Sequence, residues 1–137
     1  MMLTDEQRVR VCAAARAYKG TPWMAHGRDH RGIDCNGLIV MSFRDAGFEI
    51  DEGIPNYRGI DSRRLVATLR KYCNRVITNI PPIPADIVVY GVPDEAHCVL
   101  IVDGDPLNAI HCPLNRAVVE SRFDHARGKI RGIYRWR

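Results

Sequence analysis

No stretch of this chain approaches the ~18 consecutive apolar residues of a membrane-spanning helix, so no membrane span is expected. The N-terminus, Met1-Met2-Leu3-Thr4-Asp5-Glu6-Gln7, has neither a basic start nor an apolar core, which argues against a Sec-type signal peptide. The expectation is a protein made in the cytoplasm that leaves, if at all, in a particle, by lysis or through a dedicated secretion machine. No two cysteines are spaced C-x-x-C, and the five present (Cys12, Cys35, Cys73, Cys98 and Cys112) are an odd number. Neither a disulfide framework nor a zinc ribbon follows, and a reduced compartment is the simplest reading. Nucleic-acid motifs, internal repeats and low-complexity tracts are lacking, so no nucleic-acid partner is expected. The net charge of +4 suits an acidic polymer only weakly. Basic residues are scattered apart from Arg127, Lys129, Arg131, Arg135 and Arg137, which read as solvated surface.

What remains is an ordinary globular composition, 46% hydrophobic and 26% charged over 137 residues, enough for one domain (1–137) with one core. The chain centres on Gly32-Ile33-Asp34-Cys35-Asn36-Gly37-Leu38-Ile39-Val40. Asp34 is a good N-cap, and the helix behind it is apolar on nearly every side until Gly47, a natural C′ residue. Cys35 therefore sits on the first turn of a buried helix. Free N–H groups and the helix dipole there favour a thiolate, the reactive form of cysteine. An inert core cysteine is the alternative reading.

Thr4-Asp5-Glu6-Gln7 is a capping box that opens a helix over 5–19, with Val9, Cys12, Ala13 and Ala17 as its apolar stripe and Gly20 as its end. A Gly- and Pro-rich loop, 20–32, leads straight to Cys35 and is expected to wall the site. Trp23 is either a platform for substrate or a residue closing the core edge. His26 and His30 read as solvated loop histidines rather than a metal pair. After a second loop (49–60), Asp61 or Ser62 caps a third helix, whose Leu65, Val66, Leu69, Tyr72 and Cys73 form an amphipathic stripe. Pro81, Pro82 and Pro84 mark an extended connector. Strands follow at 86–90, 97–102, 107–111, 117–120 and 130–136. Helices first and strands after predict an α+β fold with an antiparallel sheet.

A nucleophilic cysteine needs a base. His97 opens one strand and His111 closes the next. Adjacent strand residues point to opposite faces, so neither histidine can grip a metal ion with the cysteine beside it, and no metal or other cofactor is expected. If Ile101 pairs with Leu107 across a five-residue loop, His97 lies opposite His111 on one face, and Cys98 and Cys112 turn to the other. Cys35 would then attack a carbonyl carbon. His97 would take the thiol proton and return it to the leaving amine, and His111 would orient His97. The backbone N–H of Cys35 would supply part of an oxyanion hole.

The run Ala17-Tyr18-Lys19-Gly20-Thr21-Pro22-Trp23, the Cys35 motif through Leu38, Pro84-Ala85-Asp86-Ile87-Val88-Val89-Tyr90, the strand His97–Val102 and Ala109-Ile110-His111 together resemble the NlpC-type, papain-like cell-wall cysteine peptidases. The likeness covers nearly the whole chain. It implies a papain-like core with the nucleophile at the N-terminus of a central buried helix packed on the antiparallel sheet. It implies cleavage of peptidoglycan stem peptides, typically between γ-D-glutamate and a diamino acid, by Cys35 and His97 with His111 as the third polar residue. Trp23 and Asp34 fall where substrate would lie. Asn36 replaces the usual serine, Trp23 the usual tyrosine, Ala85 a common glycine and Cys98 a small apolar residue. The Ile54-Pro55-Asn56-Tyr57 loop and the helix after it are similar to compact members in phage and prophage tails, which implies tail proteins as further partners. A secreted antibacterial amidase, a papain-like acyltransferase and a non-catalytic tail component are the alternatives.

Overall fold

The computed structural model describes residues 2–58, 61–76, 79–91, 97–123 and 129–137. Gly59 and Arg127, which belong to the second loop and the basic run, lie outside the described residues. Three helices precede most of the strands: α1 (Asp5–Arg16), α2 (Cys35–Asp45) and α3 (Arg63–Tyr72). A two-residue hairpin, β1 (Arg28–Asp29) with β2 (Gly32–Ile33), interrupts the first loop. The main sheet holds β3 (Cys73–Val76), β4 (Ile87–Tyr90), β5 (His97–Val102), β6 (Asn108–His111), β7 (Val119–Arg122) and β8 (Ile130–Trp136). Its order is β3-β8-β4-β5-β6-β7, and every neighbouring pair is antiparallel. This is the expected α+β architecture. Among the described residues no helix is long and apolar enough to cross a membrane.

The capping box forms: the Thr4 N–H donates to Gln7 Oε1 at 2.8 Å, and the Gln7 N–H to Thr4 Oγ1 at 3.1 Å. The helix ends at Arg16 instead of 19, and a chain of turns runs on to Gly20 at φ +88°. Its inward face also differs from the expected stripe. Val9, Ala13 and Ala17 are exposed, whereas Arg8, Val11, Cys12 and Ala15 are buried. Arg8 decides the rotation: its guanidinium donates to the Pro84 carbonyl at 2.8 Å and lies 3.9 Å from buried Asp86. The alanines on both faces carry too little apolar area to outweigh that contact.

The core lies between α1, α2 and the inner face of the sheet, with Leu38, Ile39, Phe43, Leu100 and Ile110 fully buried. A smaller cluster of Val88, Val99, Ile101, Ala109 and Ile133 covers the opposite face. Cys73 is buried as expected, but as the first residue of β3 rather than the end of α3. Nothing local marks Cys73-Asn74-Arg75-Val76 as a strand; pairing with β8 makes it one. Asp86 sits under the sheet, fully buried, and accepts from the Ile83 N–H (2.9 Å) and from both arms of Arg135 (2.9 and 2.8 Å). Arg135 is thus a structural counter-ion and not part of a solvated run, because a buried carboxylate needs a partner.

The β5–β6 register is Val102↔Asn108, with 103–107 as the loop. The expected Ile101–Leu107 pairing is off by two residues. The cause is at Leu107, whose carbonyl accepts the Phe123 N–H at 2.9 Å instead of joining β5. A two-residue slip preserves facing. Residues 117 and 118 are extended as expected, but they pair with the 20–23 loop, and β7 proper begins at Val119.

Candidate active site

Asp34 caps α2 by accepting the Gly37 N–H at 2.7 Å, and this fixes Cys35 on the first turn. The lead-in to that turn is braced twice. The Ile33 N–H donates to the Pro22 carbonyl and the Met24 N–H to the Ile33 carbonyl, both at 3.0 Å. The same loop is tied by Gly20 and Trp23 N–H groups to the carbonyls of Val118 and Arg116. Gly37 is required by close approach: a Cβ there would collide with the Gly27 carbonyl oxygen and the Arg28 guanidinium.

The Asp34 carboxylate is fully buried and has four donors. Oδ1 takes the Gly37 N–H and Arg28 Nη1 (2.9 Å); Oδ2 takes the His26 N–H (2.8 Å) and the Tyr57 hydroxyl (2.5 Å). Arg28 in turn forks onto Glu52 with two bonds of 2.8 Å and donates to Tyr57 Oη at 2.8 Å. Asp34, expected beside substrate, is therefore spent inside the protein. Its work is to hold the loop and the helix tip together. Arg28 and Glu52 carry no local sequence signal for this role, and Tyr57 is marked only by its loop. Nothing local announces a partner 24 residues from Arg28.

Around the sulfur, Cys35 Sγ lies 3.7 Å from Asn36 Oδ1 and 4.0 Å from Ser62 Oγ. Ser62 donates to Asn36 Oδ1 at 2.7 Å, and Asn36 Nδ2 donates to the Asp61 carbonyl at 3.0 Å. Ser62 is the N-cap of α3 by position, but it leaves the cap unmade to hold Asn36. From β5, the Cys98 thiol donates to the Cys35 carbonyl at 3.3 Å and approaches Asn36 Oδ1 at 3.6 Å. Two of the four departures from the resembled pattern, Asn36 and Cys98, thus meet beside Cys35.

His97 alternates away from Cys98, as strand geometry demands. It opens β5, and its charge favours the Cys35 thiolate. The His111 ring stands 5.6 Å from that of His97, edge to face at 78°. The two are diagonal across β5 and β6 instead of directly opposite, a consequence of the two-residue register difference. Cys98 and Cys112 both turn into the core.

The Cys35 thiol is held well below its ordinary value, first by the neighbouring Cys98 thiol and then by His97 and its positive charge; burial opposes both. The other cysteines go the other way. Burial pushes Cys73 and Cys112 up to about 12 and raises Cys12 and Cys98 as well. One thiol of five is thus set up as a thiolate.

Trp23 is half-buried against the core beside Ile33, and its indole Nε1 is buried with no hydrogen-bond partner among the described residues. His26 and His30 are exposed. The former meets the Tyr57 carbonyl at 2.5 Å, and the latter stacks on Tyr18 with ring centres 4.2 Å apart. Among the described residues no group of three or more His, Cys, Asp or Glu side chains could hold a metal ion.

Solved structures share this architecture. The NlpC/p60 domain of the peptidoglycan hydrolase SagA superposes with a TM-score of 0.65 over 93% of this chain and 97% of that one, at 18% identity. The fold is that of the NlpC/P60 proteins. A lipoprotein-like NLP/P60 family protein of Staphylococcus aureus matches with a TM-score of 0.67 at 15% identity, over 98% of this chain and 43% of its own. RipD of Mycobacterium tuberculosis, described as a non-catalytic NlpC/p60 domain adapted to binding peptidoglycan, matches at 0.64 and 16% identity over 96% and 98%. No family model and no curated protein matches the sequence. The NlpC/P60 architecture therefore stands on the course of the backbone.

Proposed function

We propose that this NlpC/P60-fold chain is a cysteine peptidase that hydrolyses peptide stems of bacterial peptidoglycan. The observation that carries the reading is Cys35 on the first turn of α2, its thiol lowered in part by His97, with the His111 ring 5.6 Å from that of His97. The Cys35 thiolate attacks the scissile carbonyl carbon. His97, carrying the proton taken from the thiol, protonates the leaving amine, and the acyl-enzyme is then released by water that His97 deprotonates. His111 keeps the His97 ring in place. The backbone N–H of Cys35, free at the helix N-terminus, donates to the developing oxyanion. The finer reading is a γ-D-glutamyl–diamino acid endopeptidase carried in a phage or prophage tail; its support is the motif resemblance together with the Ile54–Tyr57 loop.

Digestion of purified sacculi, with the new termini identified by mass, tests this. Soluble stem fragments with a freed diamino acid amine are expected. Cys35→Ala and His97→Ala should each lose at least ~10³-fold in kcat. Equal activity in the Cys35 variant would overturn the assignment. A second reading, wall binding without cleavage, draws on the burial of Cys35, whose residue is only 1% exposed. Retention on sacculi with no released fragment would favour it, and a transferred acyl group without wall cleavage would favour an acyltransferase.

A further inference from the structure

A cleft of about 580 Å³ opens between α3 and the β3–β8 edge of the sheet. The helix contributes Arg63, Val66, Ala67 and Arg70, a single stripe at i, i+3, i+4 and i+7. It lies beside the stripe of Leu65 and Leu69 that packs inward. The facing wall adds Arg75 from β3 and Arg131 from β8 over an apolar floor that includes Val89 and Tyr134. Among the described residues, four guanidinium groups and no carboxylate line this space. Arg63 is neutralised by Asp61 at 2.6 Å. Among the described residues, Arg70, Arg75 and Arg131 have no acidic partner, and all three are exposed. Arg75 is held in place by donating to the Arg131 carbonyl at 2.7 Å, and Gly132 leaves room for it, since a Cβ there would come within 3.2 Å of Arg75 Nε.

Two of the lining residues neighbour residues that touch the nucleophile. Arg63 follows Ser62, whose hydroxyl is 4.0 Å from Cys35 Sγ. Val89, on the floor, pairs with Cys98, whose thiol reaches the Cys35 carbonyl. From Ser62 to Arg70 the helix advances roughly 12 Å at its fixed rise. An extended peptide covers that span in about three to four residues, the length of a wall stem. An apolar floor with converging charges of one sign is the anatomy of a ligand site for an anion with an apolar body.

We propose that this arginine-lined cleft binds the free carboxylates of the peptide stem that extends from the scissile bond, through Arg70, Arg75 and Arg131. The proposal rests on the wall-peptidase reading above and names what that site selects: acidic stems over amidated ones.

The test measures binding to the Cys35→Ala protein, so that cleavage is not needed. The probes are an L-Ala-γ-D-Glu-diamino acid tripeptide with free carboxylates, its carboxamide analogue, and polyglycerol phosphate. The free acid should bind about tenfold more tightly than the amide. That preference should vanish in Arg70→Gln/Arg75→Gln/Arg131→Gln, whose substitutions are all on exposed side chains and should leave the melting temperature unchanged. Equal affinity for acid and amide, or an undiminished preference in the triple variant, overturns the proposal. So does tight binding of polyglycerol phosphate with none of the tripeptide. Sacculus digestion separates this from the parent reading. Cleavage by the wild type with no acid preference removes the cleft's role alone; acid preference without cleavage removes the peptidase and leaves the cleft.

Discussion

Replacing Cys98 by valine should raise the pH at which Cys35 becomes reactive. The Cys98 thiol gives the largest lowering of the Cys35 thiol, ahead of His97. It also donates to the Cys35 carbonyl at 3.3 Å and touches Asn36 Oδ1 at 3.6 Å. Valine fills nearly the same volume at this fully buried position but donates nothing, so packing should change little. When Cys35 ionises, the Cys98 proton can turn from the Cys35 carbonyl to the charged sulfur; a hydrogen bond to a charged acceptor contributes about 1.5 kcal/mol, and one pKa unit corresponds to about 1.4 kcal/mol. The inflection of the iodoacetamide rate against pH should therefore move up by about one unit. At a pH between the two inflections the Val variant should label several-fold more slowly. Cys98→Ser, which keeps a donor, should fall between them. The sign follows from the thiolate being the form that is stabilised: removing the donor favours the protonated sulfur. Mass mapping of the labelled site distinguishes Cys35 from Cys12, Cys73 and Cys112, whose raised thiols should react only at much higher pH. An unchanged inflection in Cys98→Val would refute the idea that a second thiol tunes the first.

Three further outcomes are expected. Asp34→Ala removes the α2 cap and leaves Arg28 part-buried beside an empty site; a loss of about 3–5 kcal/mol in denaturant unfolding checks it. Asp86→Ala strips Arg135 and the Ile83 N–H of their acceptor and should cost a similar amount, whereas a double change of Asp86 and Arg135 to apolar residues should recover much of it. Glu120 is held down to about 2, chiefly by the Arg16 guanidinium, against an ordinary 4.5. A lowered carboxyl stabilises the fold above its unfolded value, and that contribution is lost as pH falls from about 4.5 towards 2. Arg16→Gln should therefore lose about 1 kcal/mol at pH 6, after screening by solvent, and flatten the acid limb of the stability curve.

The elements carrying strong local chemistry were legible. Thr4 and Gln7 announced α1, Asp34 and Gly47 bracketed α2, and the apolar runs at 97–102 and 130–136 gave β5 and β8 with correct bounds. The common face of His97 and His111 was also readable, because parity survives a register difference of two. What escaped depends on partners remote in sequence. The rotation of α1 hangs on Arg8 meeting Pro84, and β3 exists because β8 is beside it. Asp34 looked available to a ligand because its other donors, Arg28 and Tyr57, are brought to it by the tertiary fold. The arginine cleft was likewise hidden, since its walls come from α3, β3 and β8.

The brace that ties residues 20–24 to Ile33 on one side and to residues 116–118 on the other has a consequence for biosynthesis. A ribosome that has delivered only the first half of the polypeptide has delivered the sulfur but not its imidazole, its neighbouring thiol or the anchor for its leading loop. Non-local contacts of this kind form late. Truncated or half-translated copies should accordingly lack the reactive thiol, and the lowered state of Cys35 should emerge in a single step once the last third of the chain has docked.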